Sequence, residues 1–155
     1  MSEPNPVNDL ALADRAIENL IARYARHVDD GDFAGVGALF ACGVFIGQAT
    51  RVSGRDAVEK FFHENLIRYA DGTPRTQHLT TNVDIEIDAQ AGTAQARSRV
   101  TVFQSLPDFP LQCIAAGRYA DQFEHHNGQW CFAERHVTIH HAADLSRHLR
   151  VSVTR

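Results

Sequence analysis

From Thr76 onward four long strand-like runs follow one another with no helix between them, and this limits the possible folds more than any other feature. Thr76 to Asp88 alternates through Leu79, Thr81, Val83, Ile85 and Ile87, the period-two pattern of a strand with one buried face. Ala91-Gly92 turns the chain into a second run, Thr93 to Ser105. Pro107 and Pro110 bracket a loop before the third, Leu111 to His125. Asn127-Gly128, the pair favoured in type I′ hairpins, leads into the fourth, Gln129 to His140. Long consecutive strands pair antiparallel and do not stay flat, because twist accumulates and the sheet must curl. A curled sheet has a concave side that needs a cover.

The first half of the chain supplies that cover. Residues 1–8 read as a polar, flexible tail, with Asn8 as the N-cap of a helix from Asp9 to Val28. Leu10, Ala13, Ile17, Leu20, Ile21, Tyr24 and Val28 recur at helical spacing, and Asp29-Asp30-Gly31 stops the helix. A second helix is expected over Asp32 to Phe40, a strand over Val44 to Val52, and a third helix over Arg55 to Tyr69. Residues 142–155 fit a tail or a short helix. Helices first and strands afterwards make an α+β domain over residues 9–141. The expected form is N-terminal helices packed against a strongly bent mixed or antiparallel sheet, enclosing one pocket.

Composition excludes several functions. A net charge of −4 gives no electrostatic footprint for nucleic acid or an anionic membrane. Cys42, Cys113 and Cys131 are far apart and lie in or beside apolar runs, as small buried hydrophobes do. MSEPNPVNDL lacks the basic and apolar regions of a signal peptide, and no segment approaches about 18 apolar residues, so a cytoplasmic setting is expected. Nine histidines invite a metal check, but neither H-E-x-x-H nor H-x-H occurs. His136 and His140 would stand about 13 Å apart at about 3.3 Å per residue, too far for one ion. There is no P-loop, G-x-G-x-x-G or G-x-S-x-G. No cofactor is expected.

The stretches AIENLIARYARHVDDGDFAGVGALF, GRDAVEKFF, TQHLTTNVDIEID and GRYADQFEHHNGQWCFAERHV, taken in order, carry a likeness. From about Leu12 to Ile139 the chain resembles the SnoaL-like branch of the nuclear transport factor 2-like superfamily. Members of that superfamily form an α+β cone with a deep pocket. They include scytalone dehydratase, gamma-hexachlorocyclohexane dehydrochlorinase, ketosteroid isomerases, polyketide cyclases and the small subunits of ring-hydroxylating dioxygenases. In the dehydratase and dehydrochlorinase branch an Asp just past the first helix pairs with a His early in the first long strand. The resemblance implies that Asp29 is that Asp and His78 that His. In such a pair the carboxylate fixes the imidazole tautomer, so the other ring nitrogen can take a proton.

Each of these residues also has a plainer explanation. Asp29 in HVDDGD can be an ordinary turn residue, and periodicity does not choose between Asp29 and Asp30. Strict alternation groups His78 with Thr80, Asn82, Asp84 and Glu86, opposite Leu79, Val83 and Ile85. Either the strand's polar series starts in the pocket, or a bulge shifts its register between His78 and Val83. Tyr24 lies on the apolar stripe, and Arg118 and Tyr119 lie on opposite faces of their strand, one of them inward. Trp130, Phe132 and His136 share a face of the last strand, with Arg135 on the other. Tyr24, Arg118, Tyr119, Trp130 and His136 are therefore the substrate-binding candidates. The resemblance implies a cofactor-independent lyase, a dehydratase above all, or an isomerase, acting on a small apolar molecule, cyclic or aromatic-derived. The alternative is a non-catalytic binding or assembly module. Apolar residues in both strand series, such as Val100 and Val102 against Phe103, point to a homodimer or homotrimer.

Overall fold

The computed structural model describes residues 5–150. Its elements run α1 (Pro6–Asp29), α2 (Phe33–Leu39), β1 (Val44–Ile46), β2 (Arg51–Ser53), α3 (Arg55–Asn65), β3 (Thr76–Asp88), β4 (Thr93–Leu106), β5 (Phe109–His126) and β6 (Gln129–Ala142). One six-stranded sheet has the order β2-β1-β6-β5-β4-β3. Every neighbouring pair is antiparallel except β1 with β6, so the sheet is mixed. The three helices cover its inner face in an α+β cone whose sheet does not close. Asn127 and Gly128 both have positive φ, as a type I′ hairpin requires.

Helix α1 begins earlier than its apolar pattern suggested. Asn5, rather than Asn8, is the cap, its side chain accepting the Val7 N–H at 3.1 Å, and Pro6 fills the first helical position where no N–H is needed. Residues 1–4 of the expected tail lie outside the described residues. Of the expected stripe, Ala13, Ile17, Leu20, Ile21, Tyr24 and Val28 are buried, while Leu10 stays 43% exposed. Burying the larger of these side chains contributes about 1.5–3 kcal/mol each. They meet an aromatic cluster in which Tyr24 touches Phe40, Phe45 and Phe62 with ring centroids 6.2–6.4 Å apart.

Three connections differ from expectation for identifiable reasons. The strand expected over Val44 to Val52 is two short strands, because Gly47 N–H bonds Thr50 O at 2.9 Å and turns the chain back. The third helix stops at Asn65, since Leu66 and Ile67 turn their backbone to Leu149 and His148 instead. The loop between the prolines shrinks to a tight turn, with Leu106 already paired to Phe109. Pro110 sits in β5 ahead of Ala115, where the pairing with β6 begins, so its missing N–H costs no bond on that side. The segment after β6 makes a docked turn at Leu145–Leu149, and residues 151–155 lie outside the described residues. No described helix is long and apolar enough to cross a membrane.

Candidate functional site

The end of α1 is brought onto the start of β3 by a glycine. Gly31 has φ +71, and a Cβ there would sit 2.0 Å from the Gly72 carbonyl oxygen, so the chain can turn so tightly only without a side chain. The facing turn is held by Asp71, whose Oδ1 accepts the Thr73 N–H at 2.9 Å and its hydroxyl at 3.0 Å. Thr76 and His78 then pass beneath the last residue of the helix. Asp29 Oδ1 accepts the Thr76 hydroxyl at 2.9 Å and faces His78 Nδ1 at 2.6 Å, while Oδ2 accepts the His78 backbone N–H at 2.8 Å. A carboxylate at a helix C-terminus opposes the helix dipole by about 0.3–1 kcal/mol, so these bonds offset a locally poor placement. Asp30 is exposed and is not the residue that meets His78.

A carboxylate accepts, so against one Nδ1 of His78 is the donor of this contact, and Nε2 is the ring nitrogen that takes no part in it. The His78 side chain is 9% exposed and that of Asp29 19%. The register question at His78 resolves by both routes acting together. Thr76, His78 and Thr80 point inward at the start of β3, and Ile85 and Ile87 point inward at its end. The phase changes at a bulge between Thr81 and Asp84, where Asn82 takes φ 54, a left-handed conformation that Asn tolerates better than most residues. Leu79 and Val83, the expected core residues, are turned outward at 37% and 40% exposure.

Between α1 and the β3 edge runs a cleft of about 490 Å³ that includes Ile21, Ala25, Arg26, Asp29, His78 and Thr80 in its walls. The expected enclosed pocket is thus an open cleft, because the sheet ends at β3 with no further strand to close it. Behind it the largely apolar inner wall also holds a few polar atoms. Thr80 Oγ1, Ser98 Oγ, Gln104 Oε1, Arg135 Nη1 and His148 Nδ1 are buried without a hydrogen-bond partner among the described residues. Buried polar atoms are rarely left so, and their concentration on the inner face suits a polar ligand or ordered water.

Deeper in the cone lies a second ion pair. Arg135 donates to Asp121 through Nε and Nη2, both at 2.8 Å, and both side chains are fully buried. The guanidinium sits 3.8 Å from the Tyr119 ring centroid and 4.3 Å from that of Tyr24. Burial disfavours the arginine's charge, but the field and hydrogen bonds of Asp121 more than offset this and hold its pKa above the ordinary value. Burial also pushes both tyrosines upward, with Asp29 adding to the effect on each, so they act only as neutral phenols.

The other sequence candidates lie elsewhere. Tyr119 is the inward member of its pair, while Arg118 is exposed on the outer face, where it is paired in register with Arg99. His136 is also exposed and Arg135 is the inward residue, the reverse of the expected facing. Ala133 is an extra residue between the Phe123–Phe132 and Gln122–Glu134 pairs and flips the alternation. Trp130 lies tilted against His125 with ring centroids 5.0 Å apart, in a groove shared with Leu10 and Leu12, away from Asp29 and His78. Sequence reasoning missed Thr76, Asp121, Arg135 and His148. Thr76 shares the phase of His78 and could have been found; Arg135 was hidden by the bulge. Among the described residues, no group of three or more His, Cys, Asp or Glu could hold a metal ion.

Solved structures share this architecture. A protein of unknown function from Mycobacterium tuberculosis is 23% identical with a TM-score of 0.73, covering 98% of this chain and 84% of its own. A candidate scytalone dehydratase from Novosphingobium aromaticivorans is 24% identical with a TM-score of 0.70, covering 89% and 91%. A hexachlorocyclohexane dehydrochlorinase from Novosphingobium barchaimii is 17% identical with a TM-score of 0.70, covering 90% and 93%. At these identities the likeness is one of fold. No curated protein sequence matches the chain. The SnoaL-like domain model, however, matches residues 9–136. The chain belongs to the SnoaL-like domain family.

Proposed function

We propose that this protein is a cofactor-independent lyase, a dehydratase or another eliminating enzyme, or an isomerase, in which His78 is the base and Asp29 orients it. The observation that carries the proposal is the 2.6 Å contact between Asp29 Oδ1 and His78 Nδ1 at the wall of the cleft. His78 Nε2 takes a proton from a carbon of the substrate, and the C–H electron pair becomes the new double bond. In elimination the leaving group departs with its own bonding pair; in isomerisation the imidazolium returns the proton to another carbon. Asp29 then faces a full positive charge, and its attraction for the ring is greatest as that charge develops. Tyr24 and Tyr119, both neutral phenols, remain candidates for donating a hydrogen bond deeper in the cone. Dehydrochlorinase and dehydratase names among proteins of this fold favour elimination over isomerisation.

The open cleft favours a second reading, a module that binds a small molecule without changing it. Turnover of hydroxylated and halogenated ring compounds by wild type, His78→Gln and Asp29→Asn decides between the two. The catalytic reading expects each substitution to cut turnover by roughly 10²–10⁴-fold, with thermal stability nearly unchanged. Turnover equal to wild type in His78→Gln removes His78 as the base, and no turnover by wild type leaves the binding module.

A further inference from the structure

The outer face of the sheet, opposite the helices, is divided by charge. Near the β3–β4 and β5–β6 turns it carries Glu86, Asp88 and Glu124 around one groove. Toward the other end it carries Arg99 and Arg118, directly opposite each other in register, with His140 and His141 in the same groove wall. No carboxylate lines that second groove, and neither arginine has an ion-pair partner among the described residues. Like charges directly opposite across two strands destabilise a sheet. On a chain whose net charge is −4, two such arginines side by side call for a negative partner from outside.

The acidic and basic ends are placed evenly about a neutral middle. Ala96, Asp121 and Arg135 form one rung across β4, β5 and β6, and all three are buried on the inner side. Their neighbours on β5, Ala120 and Gln122, face outward, exposed and uncharged. Counted from that rung, Glu124 lies three residues to one side on β5 and Arg118 three to the other. On β6, Glu134 lies one residue to the acidic side and His136 one to the basic side. Glu124 meets His126 at 2.6 Å through a single oxygen, which leaves its other oxygen open. A two-fold axis lying across the strands over this rung therefore sets Glu124 of one copy against Arg118 of a second, and Glu134 against His136. Each contact then occurs twice. An axis along the strands would set acid on acid and base on base.

We propose that the outer sheet face is a homodimer interface, with a second copy of this chain stacked on it about a two-fold axis that runs across the strands. Charge complementarity selects both the occupant and its orientation. At about 3.3 Å per residue and about 4.8 Å per strand, β3 to β6 present a flat projection on the order of 800 Å². A stable interface of standard size takes about 800 Å² from each partner. Ala120, beside the axis, has too small a side chain to hold the two faces apart. His78 points inward from β3, so this interface stands independently of the acid–base reading.

Sedimentation equilibrium of the full chain tests both the dimer and its orientation. Wild type is a dimer whose dissociation constant rises with salt. Arg118→Glu and Glu124→Arg each raise that constant by about 10²-fold, because every dimer contains the altered contact twice. Combining the two substitutions restores most of the affinity, since the exchanged charges again oppose. Ala120→Trp, at the axis and away from the charges, dissociates the dimer at every salt concentration. Circular dichroism, unchanged in each variant, separates loss of association from loss of fold. A wild type that stays monomeric at about 100 μM, a trimer, or a dimer indifferent to Arg118→Glu overturns the proposal. So does a folded double variant that associates no more tightly than either single one, because Glu124 and Arg118 would then not face each other.

Discussion

The molecule contains two aspartates that each face a nitrogen base across the inner wall, and they are built to opposite ends. Asp121 and Arg135 are fully buried, joined by two parallel bonds, and the arginine is stacked on tyrosine rings. Its partner cannot lose its proton, so the pair is a fixed charge arrangement. Asp29 and His78 stand at the cleft, 19% and 9% exposed, and the partner is an imidazole, a ring with one nitrogen to donate and one to accept. A permanent cation in a dry site gives architecture. An imidazole at the edge of water gives a group that can pick up and release a proton. Under the proposed function, geometric quality alone would rank the pairs the wrong way round, since the tidier pair is the one with no proton to exchange.

The largest effect expected from this contrast is on stability. Asp121→Ala leaves Arg135 as an uncompensated buried charge and lowers unfolding free energy by about 3–5 kcal/mol in urea titration. Replacing both partners with apolar residues, Asp121→Leu with Arg135→Met, returns most of that loss, because neither charge is then stranded. Asp29→Asn, which keeps an accepting oxygen and strands no opposite charge in a fully buried site, costs less, about 1–2 kcal/mol by the same measurement. Equal losses in Asp121→Ala and Asp29→Asn would erase the distinction between the pairs.

The next effect sharpens the comparison by pH. His148, beside the Asp29–His78 pair, has its pKa pushed down to about 4 from an ordinary value of 6.5, chiefly by burial. Between those values the unfolded chain binds a proton that the folded chain refuses, so stability rises with pH through this window and falls as the pH is lowered through it. The gap is worth about 3 kcal/mol, fully felt below pH 4 and absent above pH 7. Asp71, Asp108 and Asp144 are held below 3.8 chiefly by hydrogen bonds from Thr73, Arg147 and Ser146, so their stabilisation is present above 3.8 and lost only at lower pH. Urea midpoints at pH 7 and pH 4.5 should therefore diverge in wild type and draw together in His148→Leu. A slope unchanged in the variant would place the titrating group elsewhere.

What the sequence disclosed follows the same division. Periodicity gave the helix stripe from Ala13 to Val28 and the four long strands, because side chains that fill a core leave a regular signature. Bulges break that signature. The one in β3 could be anticipated, since a polar His78 series and an apolar Val83 series cannot both keep phase, and Asn82 was there to make the bend. The one at Ala133 has no comparable marker, so His136 and Arg135 exchanged faces. Asp29 could be singled out over Asp30 only through family likeness. His148 was invisible, because its position depends on backbone pairing between residues 66 and 149, which no local pattern encodes.

The smallest effect tests whether Asp29 is organised for the reaction or merely for the fold. Thr76 Oγ1 and His78 Nδ1 share the same oxygen, Asp29 Oδ1, at 2.9 and 2.6 Å. Thr76→Val keeps the shape of the side chain and removes only the hydroxyl donor, leaving that oxygen to the imidazole alone. The carboxylate keeps its Oδ2 bond to the His78 backbone, so the loss of stability should be about 1 kcal/mol at most. If His78 is the base as proposed, turnover should fall on the order of fivefold with KM little changed, because the hydroxyl bonds the carboxylate and is not part of the cleft wall. If Thr76→Val instead melts the protein and leaves turnover alone, the hydroxyl belongs to the fold, and Asp29 would resemble Asp121 more closely than its exposure suggests.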